Sequence, residues 1–154
     1  MIKTTVYSPL SGKIILPDNT QELIFSNRKL VSGIAIDPSD GNICSPFDGE
    51  IWAVFPTGHI IGIRDVHGCE VLIHIGKNMV ELAGMYFEIL CQIGQKVSAG
   101  DIIVKFDLKA INKAGYSIVV HIVVVKNEFL DNIEVLANGT VNAGRKLIEV
   151  SSKL

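Results

Sequence analysis

Four histidines are the residues of this 154-residue chain best suited to chemistry near neutral pH: His59, His67, His74 and His121. An imidazole titrates near 6.5 and serves as nucleophile, general acid or base, or metal ligand. Two of the four stand in matching places. His59-Ile60-Ile61-Gly62-Ile63-Arg64 is followed by Asp65-Val66-His67-Gly68 and then by Cys69-Glu70-Val71-Leu72-Ile73-His74-Ile75-Gly76, which reads as strand, turn and strand. A turn centred between Val66 and His67 sets His59 directly opposite His74 on one face of an antiparallel pair, with Cβ atoms about 4.5–5.5 Å apart. A one-residue change of register breaks this arrangement. Two imidazoles that close cannot both be protonated without repulsion, and each wants a polar partner. The pair is either a partly exposed cross-strand contact without chemistry or a site. As a site it suits metal binding, acid and base work, or a nucleophile joined to a phosphate clamp.

The other two histidines carry less. His67 is expected in solvent at the turn, and His121, inside the apolar run 118–125, is expected as a satisfied core or cross-strand residue rather than a ligand. No His-Glu-x-x-His, Gly-x-Ser-x-Gly, Gly-x-x-x-x-Gly-Lys-Ser/Thr or His-x-His occurs, which removes support for zincins, nucleophile-elbow hydrolases and P-loop enzymes.

The elements that must position these residues are strands. The chain holds 22 Ile and 16 Val against 12 Leu and 8 Ala, an excess of β-branched residues that favours extended structure. Turn signals recur about every ten residues, among them Ser8-Pro9, Ser45-Pro46, Asp48-Gly49, Pro56-Thr57-Gly58, Asn138-Gly139 and Ala143-Gly144. Between the turns lie apolar runs at 13–16, 33–36, 50–55, 60–64, 70–75, 102–106, 118–125 and 146–150. Many short strands at this spacing predict an all-β antiparallel sandwich or barrel-sandwich. A few short helical turns are expected: one at 107–115, with an Asp start and a Gly stop, and others within 20–30 and 77–84. No linker divides the chain, so residues 1–154 are expected to form one domain. Two internal echoes stand out. Ser8-Pro9-Leu10-Ser11-Gly12-Lys13-Ile14 resembles Ser45-Pro46-Phe47-Asp48-Gly49-Glu50-Ile51, and Val97-Ser98-Ala99-Gly100 resembles Val141-Asn142-Ala143-Gly144. Repeated hairpin units are the expected source.

Composition bounds the setting. Hydrophobic residues make 48% and charged residues 19% of a chain with net charge −2, so disorder and a coiled coil are excluded, and no basic block offers a footprint for nucleic acid. Cys44, Cys69 and Cys91 form no Cys-x-x-Cys pair and are expected as buried thiols of a reducing compartment. Met1-Ile2-Lys3-Thr4-Thr5 lacks the apolar core of a signal peptide, and the run 118–125 is far below the ~20 residues of a membrane helix. A cytoplasmic protein without direct membrane insertion is expected.

With these residues in view, the sequence resembles the glucose-type IIA domain of the bacterial phosphoenolpyruvate-dependent sugar phosphotransferase system, over residues 6–150. Leu72-Ile73-His74-Ile75-Gly76 is similar to the family's phosphorylated-histidine strand, and Phe55-Pro56-Thr57-Gly58-His59 to the segment of its second active-site histidine. Ser8-Pro9-Leu10-Ser11-Gly12, Gly33-Ile34-Ala35-Ile36-Asp37-Pro38, Ser45-Pro46-Phe47-Asp48-Gly49, Gly94-Gln95-Lys96-Val97 and Gly100-Asp101-Ile102-Ile103-Val104-Lys105-Phe106-Asp107 follow further family blocks in order. The resemblance implies a phosphocarrier that accepts a phosphoryl group from the carrier HPr and passes it to a Cys on the IIB domain of a IIBC sugar permease. It implies His74 as nucleophile, His59 as the group that steadies the phosphate, and Thr57 as the residue that orients His59. No metal and no cofactor is implied within the chain. Leu23, Ile24, Phe25, Leu30, Ile60, Leu72, Ile75, Lys77, Asn78 and Val80 are implied as partner-binding candidates.

The chain also departs from the pattern. After the His-x-Gly the family usually continues with an apolar residue, Asp and Thr, where this chain has Lys77-Asn78-Met79. His121 stands where the family usually has Pro. These departures motivate the alternative of a regulatory binding protein of the same fold that docks partners according to phosphorylation state. The Val-x-Ala-Gly turns also suit a lipoyl or biotinyl carrier, but no Met-Lys-Met or Asp-Lys-Ala occurs.

Overall fold

The computed structural model describes residues 1–15 and 30–153, and the side chains of all of these except 30–32. In chain order the described strands are β1 (Ile2–Tyr7), β2 (Gly12–Ile15), β3 (Leu30–Pro38), β4 (Asn42–Cys44), β5 (Gly49–Val54), β6 (Ile60–Arg64) and β7 (Glu70–Ile75), followed by β8 (Phe87–Ile89), β9 (Lys96–Val97), β10 (Ile102–Phe106), β11 (Val120–Val125), β12 (Leu130–Val135), β13 (Thr140–Val141) and β14 (Lys146–Ser152). A 3-10 turn covers Met79–Leu82, and the helix α1 covers Leu108–Lys113. The Asp107 side chain caps α1 by accepting the Ala110 N–H, as the Asp start predicts. All strand pairs are antiparallel, in an eight-stranded sheet of order β13-β2-β3-β11-β7-β6-β5-β9 and two three-stranded sheets, β1-β14-β12 and β4-β10-β8. Among the described residues no helix is long and apolar enough to cross a membrane.

The central strands explain why the sequence runs 70–75 and 118–125 are apolar almost without a break. On one face of β7 and β11, Val71, Ile73 and Ile75 oppose Val124, Ile122 and Val120 and join the main core. On the other face Leu72 opposes Val123, and these pack with Ile60, Trp52 and Val125 in a second, smaller cluster. A strand buried on both faces needs apolar residues at every position. The histidines interrupt both runs on the second face.

The two sequence echoes are structural. Ser8 Oγ donates to the Leu10 carbonyl and Ser45 Oγ to the Phe47 carbonyl, each at 2.7 Å, and both serines are buried. The Cys44 N–H bonds the Pro9 carbonyl while the Tyr7 N–H bonds the Pro46 carbonyl. The Val-x-Ala-Gly turns dock on the same serines: Gly144 donates to the Ser8 carbonyl and Gly100 to the Ser45 carbonyl. Matching sequences thus make matching bonds and tie the two repeated units to each other. Of the three cysteines only Cys69 is fully buried; Cys44 and Cys91 are half-buried. Burial, aided by Asp65 and Glu70, pushes the Cys69 thiol up to about 12, so it stays protonated.

Candidate functional site

The ladder between β6 and β7 corrects the expected pairing. Ile60, not His59, lies opposite His74. The cause is the connecting loop. Asp65 Oδ1 accepts the N–H groups of His67 and Cys69, while its other oxygen accepts the Thr4 hydroxyl at 2.5 Å. The Asp65 N–H bonds the Cys69 carbonyl. This anchored loop is one residue longer than the two-residue turn the spacing suggests, and the register moves by one. His67 is exposed in this loop.

The two rings meet all the same. Gly58 takes a positive φ of 79°, which the turn at the start of β6 demands of a residue without a Cβ. His59 therefore sits ahead of the regular strand, with its carbonyl accepting the Ile75 N–H at 2.7 Å. Its ring reaches His74, with centroids 5.8 Å apart at 60°, and Phe55 stands edge-on against its other side, also at 5.8 Å. The Thr57 hydroxyl shares a hydrogen bond with His59 Nδ1, which leaves Nε2 as the edge of His59 available to a second group.

A third ring joins them. His121 of β11 lies directly across the ladder from His74, its ring stacked at 6.0 Å and 27°. The sequence reading placed His121 as a core or cross-strand residue; it is cross-strand, and its partner is the candidate nucleophile. The signal that could have found it is that both central apolar runs carry one histidine. The β7–β11 register that joins them links segments some fifty residues apart and has no turn to announce it.

The cluster is dry. His59 is 1% and His74 7% exposed. Burial, then His121, then His59, pushes His74 down to about 4. Burial alone lowers His59 and His121. Each ring binds a proton more weakly in the folded chain than in the unfolded one, so protons favour the unfolded state below about pH 6.5. The rings' contribution to stability is therefore expected to be flat above pH 6.5 and to fall as the pH drops from 6.5 toward 4. His74 alone contributes a loss on the order of 3 kcal/mol, measurable as a falling urea midpoint whose slope with pH is smaller in a His74→Gln variant.

The chain leaves the site through Gly76, whose φ is 72° and where an added Cβ would stand 2.8 Å from Met79 Sδ. Met79 is buried under this bend. Gly76→Ala is expected to cost about 1–3 kcal/mol through the left-handed backbone and the crowding, read as a shift in the denaturation midpoint. Asn78 is also left-handed, at φ 60°, a conformation that Asn tolerates better than most residues.

Of the partner-binding candidates, Lys77, Asn78 and Val80 are exposed and follow His74 closely in the chain. Ile60 and Ile75 are fully buried and Leu72 nearly so. These three are packing residues, because alternation turns Ile75 into the main core and Ile60 and Leu72 into the second cluster. Leu23, Ile24 and Phe25 lie outside the described residues, and so does the side chain of Leu30. Among the described residues no group of three or more His, Cys, Asp or Glu is arranged to hold a metal ion.

Residues 4–130 match the family described as phosphoenolpyruvate-dependent sugar phosphotransferase system, EIIA 1. The chain belongs to this family. A glucose-specific EIIA component of Bacillus anthracis is 36% identical over 140 residues, which is 91% of this chain and 85% of that protein. A beta-glucoside-specific EIIBCA component of Halalkalibacterium halodurans is 36% identical over 149 residues, 97% of this chain but only 23% of its relative. The chain thus spans about a quarter of the length of such multidomain relatives. The solved glucose permease IIA from Mycoplasma capricolum superposes with a TM-score of 0.86 at 34% identity, covering 97% of this chain and 96% of the other. The fold of the EIIA 1 family is therefore the fold of this chain, an antiparallel all-β architecture as the spacing of the apolar runs predicts and as the resemblance implies.

Proposed function

We propose that this EIIA chain carries a phosphoryl group on His74 between the phosphorylated carrier HPr and a Cys of a IIB domain. The observation that supports it most is the pair of buried rings, with His74 held neutral and therefore nucleophilic at neutral pH. In the first step the Nε2 lone pair of His74 forms an N–P bond while the N–P bond of the donor breaks, and the donor imidazole keeps that electron pair. In the second step a IIB thiolate forms an S–P bond and His74 Nε2 takes its pair back. His59 donates through Nε2 to the phosphoryl oxygens as charge shifts among them, and Thr57 fixes that ring through Nδ1. In-line phosphoryl transfer asks chiefly for alignment and charge stabilisation, and the docked proteins supply the alignment.

The joining of IIA to IIB and IIC in the beta-glucoside relatives supports a IIB domain of a IIBC permease as the acceptor. Lys77, Asn78 and Val80 would edge both docking surfaces. The chain would then work in the cytoplasm, beside the membrane and not within it. The test is incubation with phosphoenolpyruvate, enzyme I and HPr. One acid-labile, base-stable phosphate per chain is expected, discharged on adding a IIB domain. A chain that binds partners but never discharges to any IIB would instead fit the regulatory alternative that the Lys77-Asn78-Met79 departure raises.

A further inference from the structure

His121 is a titratable side chain on the face of the histidine site for which phosphoryl transfer through His74 and His59 has no task. It occupies a position where a branched apolar residue would suit the strand better: Val123, its neighbour on the same face of β11, is buried in the second cluster. Its Nδ1 is buried with no hydrogen-bond partner among the described residues, a cost in either tautomer. The ring itself is only half-buried, so Nε2 is the atom that exchanges a proton with solvent. Few charges compete for it. β7 brings His74, with His59 beyond. β3 sets Ala35 opposite His121 and places Asp37 two residues along on the same face, where Lys13 of β2 pairs with it. Among the described residues no carboxylate forms an ion pair with His121. The ring thus stands one strand away from His74, nearly parallel to it, without an anion of its own among the described residues.

Phosphorylation supplies that anion. A phosphoryl group brings between one and two negative charges, and an opposite charge within about 6 Å favours the protonated imidazole. We propose that His121 is a positioning residue of the phosphorylated state: when His74 carries the phosphoryl group, His121 takes up a proton from solvent and the imidazolium holds the group in place. The proton adds to a ring nitrogen lone pair, and no bond to phosphorus forms or breaks at His121. The proposal rests on the phosphocarrier reading of His74. In the unmodified protein burial keeps the ring neutral. The proton that follows the phosphate makes phosphorylation pH-dependent, and the phosphorylated form gains up to tenfold per pH unit as the pH falls through the window between the two titration points of His121.

The test is a histidine side-chain NMR titration of the wild-type protein, before and after phosphorylation by phosphoenolpyruvate, enzyme I and HPr, with the His121 signal assigned by its loss in His121→Gln. His121 is expected to titrate at least one pH unit higher in the phosphorylated protein. The pH dependence of the phosphorylated fraction at equilibrium with HPr is expected to be steeper in the wild type than in His121→Gln. A phosphate on His74 with His121 titrating at the same pH or lower overturns the proposal and leaves the phosphocarrier reading standing. Identical pH profiles for wild type and variant do the same. Absence of any phosphate on the chain removes both.

Discussion

His74→Ala is expected to bring phosphoryl uptake down to background in the presence of phosphoenolpyruvate, enzyme I and HPr. The reason is the loss of the attacking atom. His74 is the central ring of the cluster, held neutral by burial and by its two neighbours, and neither flanking ring is placed to take over. His59 has its Nδ1 engaged by Thr57, and in the proposed function both flanking rings serve a phosphoryl group carried by His74. The fold should survive, since His74 lies on the second face of β7 and the main core packs on the other. A circular dichroism spectrum and a thermal melt close to wild type would establish that. A stable phosphate on the His74→Ala protein would overturn the assignment.

The second large effect is expected at His59, and it divides the two half-reactions. His59→Ala should still accept a phosphate, because the nucleophile and its lone pair are intact, but should pass it to a IIB domain about 10²- to 10³-fold more slowly, the usual cost of one donor aimed at developing charge. Rapid-quench transfer to IIB measures the defect. Thr57→Val should show a weaker version of the same split, since it frees the ring from its hydroxyl partner but keeps the imidazole. Equal loss of uptake and discharge in His59→Ala would mean that the ring builds the site instead of stabilising transfer, and the role given to it would fall.

These expectations rest on residues whose legibility differed. The eight apolar runs each became a strand, with bounds that coincide or differ by at most three residues. The missed strands were β1, β4, β8, β9, β12 and β13, which are short, polar on one side or both, or held by pairing more than by their own apolar content. The cap Asp107 and the echoing Ser-Pro turns were readable because their hydrogen bonds are local, spanning two or three residues. The partner-binding candidates were harder. Exposure of Ile60, Leu72 and Ile75 depends on what packs over each face of the sheet, and burial on both faces leaves no alternation to read.

The sequence by itself determined that the chain is built of short antiparallel strands and that His59 and His74 come close together, because β-branched content, turn spacing and family motifs are all local signals. Tertiary structure alone decided how the rings meet. Asp65 and Thr4, distant in sequence, bond each other and fix the loop that sets the β6–β7 register, and only the pairing of β7 with β11 brings His121 against His74. A register is a property of two strands, settled by bonds between residues far apart along the chain, and no segment read alone contains it.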